Sequence, residues 1–287
     1  MSDSYYQKMF PGWHLLIHNG IAPQEAQFIL SAIQKPCSGS TFQNVNSSGN
    51  AKVFKGSLKV NHKPVSVFIK QYLFRSFFDF VKHILRSSRA KRAFKASLML
   101  EKIGHKAPLP LMLCEKKIGP FRTQSVLVTK EACGAIELRK LLADLSSDKS
   151  RESLRKKRRL IREFGSSIGK MHSQGLVHGD TRLGNVLVGN LDQDLAFWFI
   201  DNESTRQFAR ASLKRIRKNL VQINIRAKVS NTDKMRFMQN YARQRKLSDY
   251  ETKALITVVL EKTSWRVINR ELRKPSKSLE KNNQRKN

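Results

Sequence analysis

The chain has 287 residues and a formal charge of +33, from 55 Lys and Arg against 22 Asp and Glu. That length is enough for one large domain or two lobes sharing a cleft, and hydrophobic residues, at 40%, are compatible with a real core rather than a disordered chain. Cys37, Cys114 and Cys133 show no C-x-x-C spacing, which argues against a disulfide framework or zinc site and for a reducing cytosol.

The opening stretch MSDSYYQKMFPGWHLL lacks the basic region and long apolar run of a secretory signal. The longest apolar runs, such as Leu195 to Ile200, are too short to cross a bilayer. The expectation is a soluble or peripheral protein.

Residues 13–36 hold a short extended segment and a helix over Ala22 to Ile33. The next 32 residues, TFQNVNSSGNAKVFKGSLKVNHKPVSVFIKQY, predict a three-stranded meander. Its first two strands are separated by small polar residues at Asn44 to Asn50, and the run Val65 to Ile69 ends at Lys70. A basic helix follows over Arg89 to Ile103, with Ala93, Ala96, Leu100 and Ile103 at helical spacing. Strands are predicted at Leu109 to Glu115 and Ser125 to Lys130. The segment Glu131 to Ala135 then connects to helices at Ile136–Leu145 and Leu154–Gln174. In the second helix Leu160, Phe164, Ile168 and Met171 share one face.

A β-rich first part and an α-rich second part imply two lobes. The expected division is an N-terminal extension (1–40), a first lobe (41–132), a second lobe (133–272) and a polar, disordered basic tail (273–287).

The chemistry concentrates after the second helix, at His178-Gly179-Asp180-Thr181-Arg182-Leu183-Gly184-Asn185. The apolar run Val186 to Val188 follows, then a turn, then Leu195 to Ile200 ending at Asp201. A hairpin of these two runs brings oxygen-bearing side chains to one end. Phosphoryl transfer needs such a set. An Asp (Asp180) orients or deprotonates the acceptor hydroxyl, while an Asn (Asn185) and a second Asp (Asp201) hold Mg²⁺ against the phosphates of ATP. The pattern H-x-D-x-x-x-x-N is a catalytic-loop signature. As single residues, Asp180 and Asn185 would read as turn formers and Asp201 as a helix cap. Their joint order and spacing favour the chemical reading. His178 reads as shaping the loop by hydrogen bonding, because Asp180 already supplies the carboxylate.

Lys70 ends an apolar strand at the place where a kinase needs a Lys on the nucleotide phosphates. Residues Asn46 to Asn50 either cover those phosphates with backbone N–H groups or form an ordinary hairpin turn.

At these residues the chain resembles the protein-kinase-like superfamily, an α+β bilobal fold with a β-rich N-lobe and a mainly helical C-lobe. Within it, the chain is similar to the bacterial lipopolysaccharide kinase family, the Kdo and heptose kinases. The stretches that carry the likeness are SRAKRAF (88–94), HGDTRLGNVLV (178–188), FWFIDNE (197–203), KNLVQIN (218–224) and TDKMRF (232–237), and it covers residues 40–250 or so. The resemblance implies Asp180 as catalytic base, Asn185 and Asp201 as Mg²⁺ ligands and Lys70 on the ATP phosphates. It also implies an adenine-contacting hinge near Lys130 to Cys133, with Glu131 and Cys133 as cofactor-binding residues. Two departures stand out. Asp201-Asn202-Glu203 replaces Asp-Phe-Gly, so Glu203 is either a further metal or water ligand or the first acidic residue of a helix. The helix after Lys70 has no carboxylate in its middle, so either Glu101 pairs with Lys70 or Lys70 is held otherwise.

Basic runs at Arg86–Lys95, Arg151–Arg162, Arg206–Lys218 and the tail read singly as solvated faces. Summed, they form a field that attracts polyanions. The expected partners are a lipopolysaccharide core or other anionic acceptor and an anionic membrane surface, with nucleic acid a weaker fit for want of an RNA-binding signature. The expected location is the cytoplasm, peripheral at the inner face of the bacterial inner membrane. Competing readings on the same fold are a protein or small-metabolite kinase and a pseudokinase binding acidic glycan, lipid or RNA.

Overall fold

The computed structural model describes residues 4–34, 42–45, 51–73, 86–119, 121–225, 227 and 229–272. Cys37, the Asn46–Asn50 turn and the basic tail lie outside the described residues. The chain divides into two compact units, residues 1–136 with 185–206 and residues 137–184 with 207–287.

The first unit is built on a seven-stranded sheet in the order β1-β2-β6-β7-β5-β4-β3. Its strands are β1 (Tyr5–Phe10), β2 (Trp13–His18), β3 (Phe42–Val45), β4 (Ala51–Val60), β5 (Lys63–Tyr72), β6 (Pro110–Ile118) and β7 (Phe121–Lys130). The expected meander is β3-β4-β5, antiparallel throughout. Residues read from sequence as an N-terminal extension supply β1, β2 and helix α1 (Pro23–Gln34). Strand β2 pairs directly with β6, and Trp13, Leu15 and Ile17 are buried with Ile29, Val67, Met112 and Val128 in one core.

Helix α2 (Arg89–Lys102) covers the opposite face, where Ala90, Ala93 and Phe94 pack with Tyr72, Leu113 and Leu127. Because β6 and β7 are covered on both faces, their centres are continuously apolar rather than alternating. Both strands run past the predicted ends at Glu115 and Ser125. Lys116 pairs there with Gln124 and Ile118 with Phe121, so the ladder continues through residues that no longer face a core.

The remainder of this unit is the hairpin of β10 (Val186–Gly189) and β11 (Ala196–Phe199), with Val186 opposite Phe199 and Gly189 opposite Ala196. Strand β8 (Ile136–Glu137) marks the passage to the second unit. That unit carries α3 (Leu138–Ser147), α4 (Arg151–Ser173), β9 (Leu176–Val177), β12 (Arg206–Gln207, at the boundary), α5 (Leu213–Asn224), α6 (Asn231–Arg245) and α7 (Asp249–Leu272).

Helix α4 begins earlier than its apolar stripe predicts. Ser150 caps it by accepting from the Ser153 N–H at 3.1 Å, which adds a turn with no buried residue. Its apolar face, Leu160, Phe164, Ile168 and Met171, is buried as the spacing predicts. Helix α6 packs on that face, with Phe164 and Phe237 rings 5.6 Å apart. The approach is close because Gly165 and Gly169 present no side chain. A Cβ on Gly165 would lie 2.5 Å from the Phe237 carbonyl oxygen. Among the described residues no helix is long and apolar enough to cross a membrane.

Candidate active site

In β5 successive side chains alternate between faces, so Val67 and Ile69 enter one core while Lys70 and Tyr72 point to the face covered by α2. Lys70 Nζ lies 2.5 Å from Asp201 Oδ1, with both side chains about 30% exposed (26% and 31%). Asp201 follows β11, and the hairpin register places Asn185 at the same end. The Ile200 N–H donates to the Asn185 carbonyl at 3.0 Å. Asp201 itself is left-handed (φ 64°, ψ 43°). A non-glycine residue there costs about 1–2 kcal/mol, which the surrounding packing must offset.

What offsets it is the next two residues. Asn202 is buried and donates from Nδ2 to Ser97 Oγ at 3.2 Å and to the Phe199 carbonyl at 2.9 Å. Glu203 is gripped by Arg89 through both oxygens, Nε to Oε2 at 2.7 Å and Nη2 to Oε1 at 2.9 Å. Arg92 Nε donates to the Glu203 carbonyl at 3.3 Å. Of the two alternatives for Glu203, the structure has the helical one: it is the acidic residue of the short 3-10 turn Asn202–Ser204, with its carboxylate committed to Arg89. Lys70 and Arg89 both lie over the buried Tyr72 ring, at 5.2 and 5.1 Å from its centroid. Burial, and then the charges of Glu203 and Asp201, push the Tyr72 hydroxyl far above its ordinary range.

Of the two alternatives left open for Lys70, pairing with Glu101 or being held otherwise, the structure has the second. Glu101 sits exposed in the last turn of α2, and among the described residues Lys70 takes Asp201 instead. The physical reason is that the α2 positions facing this end of the sheet are basic, and its acidic residue lies too far along the helix.

Glu131 begins the segment after β7. Its N–H donates to the Ser66 carbonyl at 2.9 Å, and its Oε1 pairs with Lys55 at 2.7 Å. Cys133 is exposed in the same segment.

Asp180 belongs to the second unit. Gly179 is left-handed (φ 82°), the conformation that turns the loop after the fully buried His178. His178 Nδ1 accepts from the Asp180 N–H at 3.4 Å, in keeping with a loop-shaping role. Arg182 holds the Asp180 carboxylate in a fork, Nε to Oδ1 at 2.8 Å and Nη2 to Oδ2 at 2.5 Å.

A second support rises from α5. Gln222 Nε2 donates to the Gly179 carbonyl at 3.1 Å and to Asp180 Oδ1 at 3.4 Å, while its Oε1 accepts from the Thr181 N–H at 3.2 Å. Gln222 Oε1 also accepts from Asn219 Nδ2 at 3.3 Å, and Asn219 Oδ1 lies 3.2 Å from Nε2 of the buried His172. The other ring nitrogen of His172 is 3.0 Å from the Tyr241 hydroxyl. The consistent assignment is that Tyr241 donates to Nδ1 and Nε2–H donates to Asn219. Burial holds the His172 ring neutral, its pKa pushed down to about 4.

Arg182, Gln222, Arg89 and the role of Glu203 escaped sequence reasoning. Asn219 and Gln222 fall within KNLVQIN, one of the stretches that carry the family likeness, but spacing alone does not tell which of its polar residues point at the loop.

A comparison with curated proteins returned no match. Among solved structures, one described as WaaP in complex with acyl carrier protein superposes with TM-score 0.61 and 17% identity, covering 87% of this chain and 98% of that one. This match shows a protein-kinase-like fold. The Mycobacterium tuberculosis PknI kinase domain matches at TM-score 0.43 and 11% identity, over 78% of this chain and 98% of that one. The family described as "Lipopolysaccharide kinase (Kdo/WaaP) family" matches residues 43–241. With that match spanning most of the chain, the protein belongs to the lipopolysaccharide kinase (Kdo/WaaP) family and is an ATP-dependent phosphotransferase.

Proposed function

We propose that the protein transfers the γ-phosphate of ATP to a hydroxyl of an inner-core sugar of lipopolysaccharide, working at the cytoplasmic face of the membrane. The observation that carries the reading is the meeting of Lys70, from β5, with Asp201, at the end of β11, 131 positions later in the chain. A carboxylate that already holds an ammonium group is built to hold positive charge. Asp201 and the Asn185 side chain are hard oxygen donors, which fits Mg²⁺, a cation that takes one or two protein oxygens and fills its shell with phosphate and water. Asp201 and Asn185 would hold Mg²⁺ together with ATP, and the ion would supply neutralisation of the charge on the transferred phosphoryl group.

The chain's own residues do the rest. Lys70 exchanges Asp201 for the phosphates. Asp180 accepts the hydrogen bond of the acceptor hydroxyl and takes its proton as the bond to phosphorus forms. Arg182, a rigid fork matched to carboxylate and phosphate, holds Asp180 until an anionic acceptor or the phosphoryl group competes for it. The segment holding Glu131 and Cys133 is the proposed adenine-contacting hinge. Domain limits near residues 40, 132 and 272 belong to the same reading, with residues 185–206 serving the first lobe.

Purified protein with Mg²⁺ and ATP is expected to phosphorylate lipid A–core extracts. Asp180→Ala is expected to abolish the activity with the circular-dichroism spectrum unchanged. Full activity in that variant would remove the assignment.

A specific observation favours a protein partner as well. Helices α3 to α7 line an apolar pocket of about 170 Å³, partly open to solvent, whose walls include Leu142, Phe164, Leu220, Ile223, Met238 and Val259. It is larger than an engineered cavity of about 150 Å³ that binds benzene. A sugar acceptor has no use for it, whereas the acyl chain of an acidic carrier protein drawn to a +33 chain does. Acylated carrier protein is expected to raise the melting temperature where the unacylated form does not. Equal effects would sink this second reading.

A further inference from the structure

We propose that Arg89 and Glu203 are positioning residues, a charge-inverted tether by which α2 places Asp201. The proposal rests on the reading of Asp201 as a metal ligand given above. In the protein-kinase arrangement the helix supplies an acid and the strand Lys reaches for it. Here the helix supplies the base. Lys70 goes to Asp201, and the acid that meets α2 is Glu203, two residues further on.

Three observations make this a tether rather than a chance surface pair. The Arg89–Glu203 contact is a two-point fork with side chains only 14% and 19% exposed, so its geometry is defined and it is little screened. It does not act alone. Arg92 takes the Glu203 carbonyl, and Ser97 accepts from the buried Asn202, so three residues of α2 hold two consecutive residues of the 202–204 turn. Finally, the Tyr72 ring forms a common floor under Lys70 and Arg89, which keeps the two cations beside their separate carboxylates.

The chain of consequence runs from Asp201. Its left-handed backbone is a conformation that a free segment would leave, and the residues that pin it in place are those bonded to α2. A shift of α2 therefore moves the metal ligand directly, not the phosphate-binding Lys. The basic character of SRAKRAF, read from the sequence as a solvated face, is in part internal: Arg89 and Arg92 are spent on Glu203.

The test uses the full chain with a non-hydrolysable ATP analogue and Mn²⁺ as the probe, its binding followed by electron paramagnetic resonance. Arg89→Ala is expected to weaken Mn²⁺ binding about 10- to 100-fold, the range for residues that hold a ligand from behind. Affinity for the nucleotide without metal, measured in chelator, is expected to stay near the wild-type value. The reversed pair Arg89→Glu with Glu203→Arg is expected to recover most of the loss. Arg89→Lys, which keeps charge but loses the fork, recovers less.

Glu203→Gln preserves shape and serves if Arg89→Ala does not fold, with the same expected weakening. Wild-type Mn²⁺ affinity in folded Arg89→Ala or Glu203→Gln overturns the tether. So does failure of the reversed pair, since a Glu203 that ligates metal itself cannot be replaced by Arg. Absence of Mn²⁺ binding in the wild type, or its survival in Asp201→Ala, overturns the site reading and the tether with it, an outcome distinct from loss of the tether alone.

Discussion

Acid should destabilise the second unit through one side chain, His172. The ring is fully buried and bonded to Tyr241 and Asn219, and the Arg245 guanidinium, which donates to the His172 carbonyl at 2.7 Å, disfavours a second positive charge. Burial is the main cause of its lowered pKa, about 4 against an ordinary 6.5. The sign follows from proton binding. Above pH 6.5 neither the folded nor the unfolded chain protonates this ring, and it contributes no pH dependence. Between pH 6.5 and 4 the unfolded chain takes a proton that the folded chain refuses, so stability falls as pH falls. At pH 5 the loss works out at about 2 kcal/mol, and it levels off near 3 kcal/mol below pH 4. For a chain whose whole stability is about 5–15 kcal/mol, that is a large fraction.

The assay is urea unfolding by circular dichroism at pH 7.5 and pH 5, on wild type and on His172→Gln. Gln accepts from Tyr241 and donates to Asn219 without titrating. Wild type is expected to lose about 2 kcal/mol more than the variant between the two pH values. Parallel losses would refute the reasoning, because carboxylates shared by both proteins would then carry the whole effect.

Two further outcomes are expected. Gly165→Ala should destabilise by about 1–3 kcal/mol in thermal unfolding, since its Cβ would meet backbone of α6 at 2.5 Å. Helix propensity alone would stabilise it by about 1 kcal/mol, so a raised melting temperature would count against the packing argument. Gln222→Leu should lower kcat about 10- to 100-fold with KM for ATP little changed, because it removes hydrogen bonds to the Asp180 loop of the second unit, whereas Lys70 and Asp201 belong to the first. A change confined to KM would show that Gln222 does not serve the catalytic loop.

The fold was legible where its signals are local. The meander β3-β4-β5, the face of α4 and the β10–β11 hairpin follow from alternation, helical spacing and turn residues within a few positions of one another. The place of β1 and β2 was not legible, because pairing β2 with β6 joins residues about a hundred positions apart and leaves no mark in either strand. Helices α5 to α7 were folded into a generally helical half without limits. Their many Lys and Arg obscure the stripes of Ile216, Leu220 and Ile223 and of Phe237 and Tyr241.

For the site, the spacing of Asp180, Asn185 and Asp201 lies within 22 consecutive residues, and their order along one loop and one hairpin is a property of the sequence itself. Which groups hold them is not. Glu101 was the only acid that the sequence offered on α2, yet the ion pairs that form are Lys70 with Asp201 and Arg89 with Glu203. Charge and hydrogen-bond partners depend on distances of a few ångströms between elements more than a hundred positions apart, and only the packing of α2 on the sheet sets those distances. The residues proposed for the chemistry were legible in the loop and hairpin. The network that aims them was decided by tertiary structure.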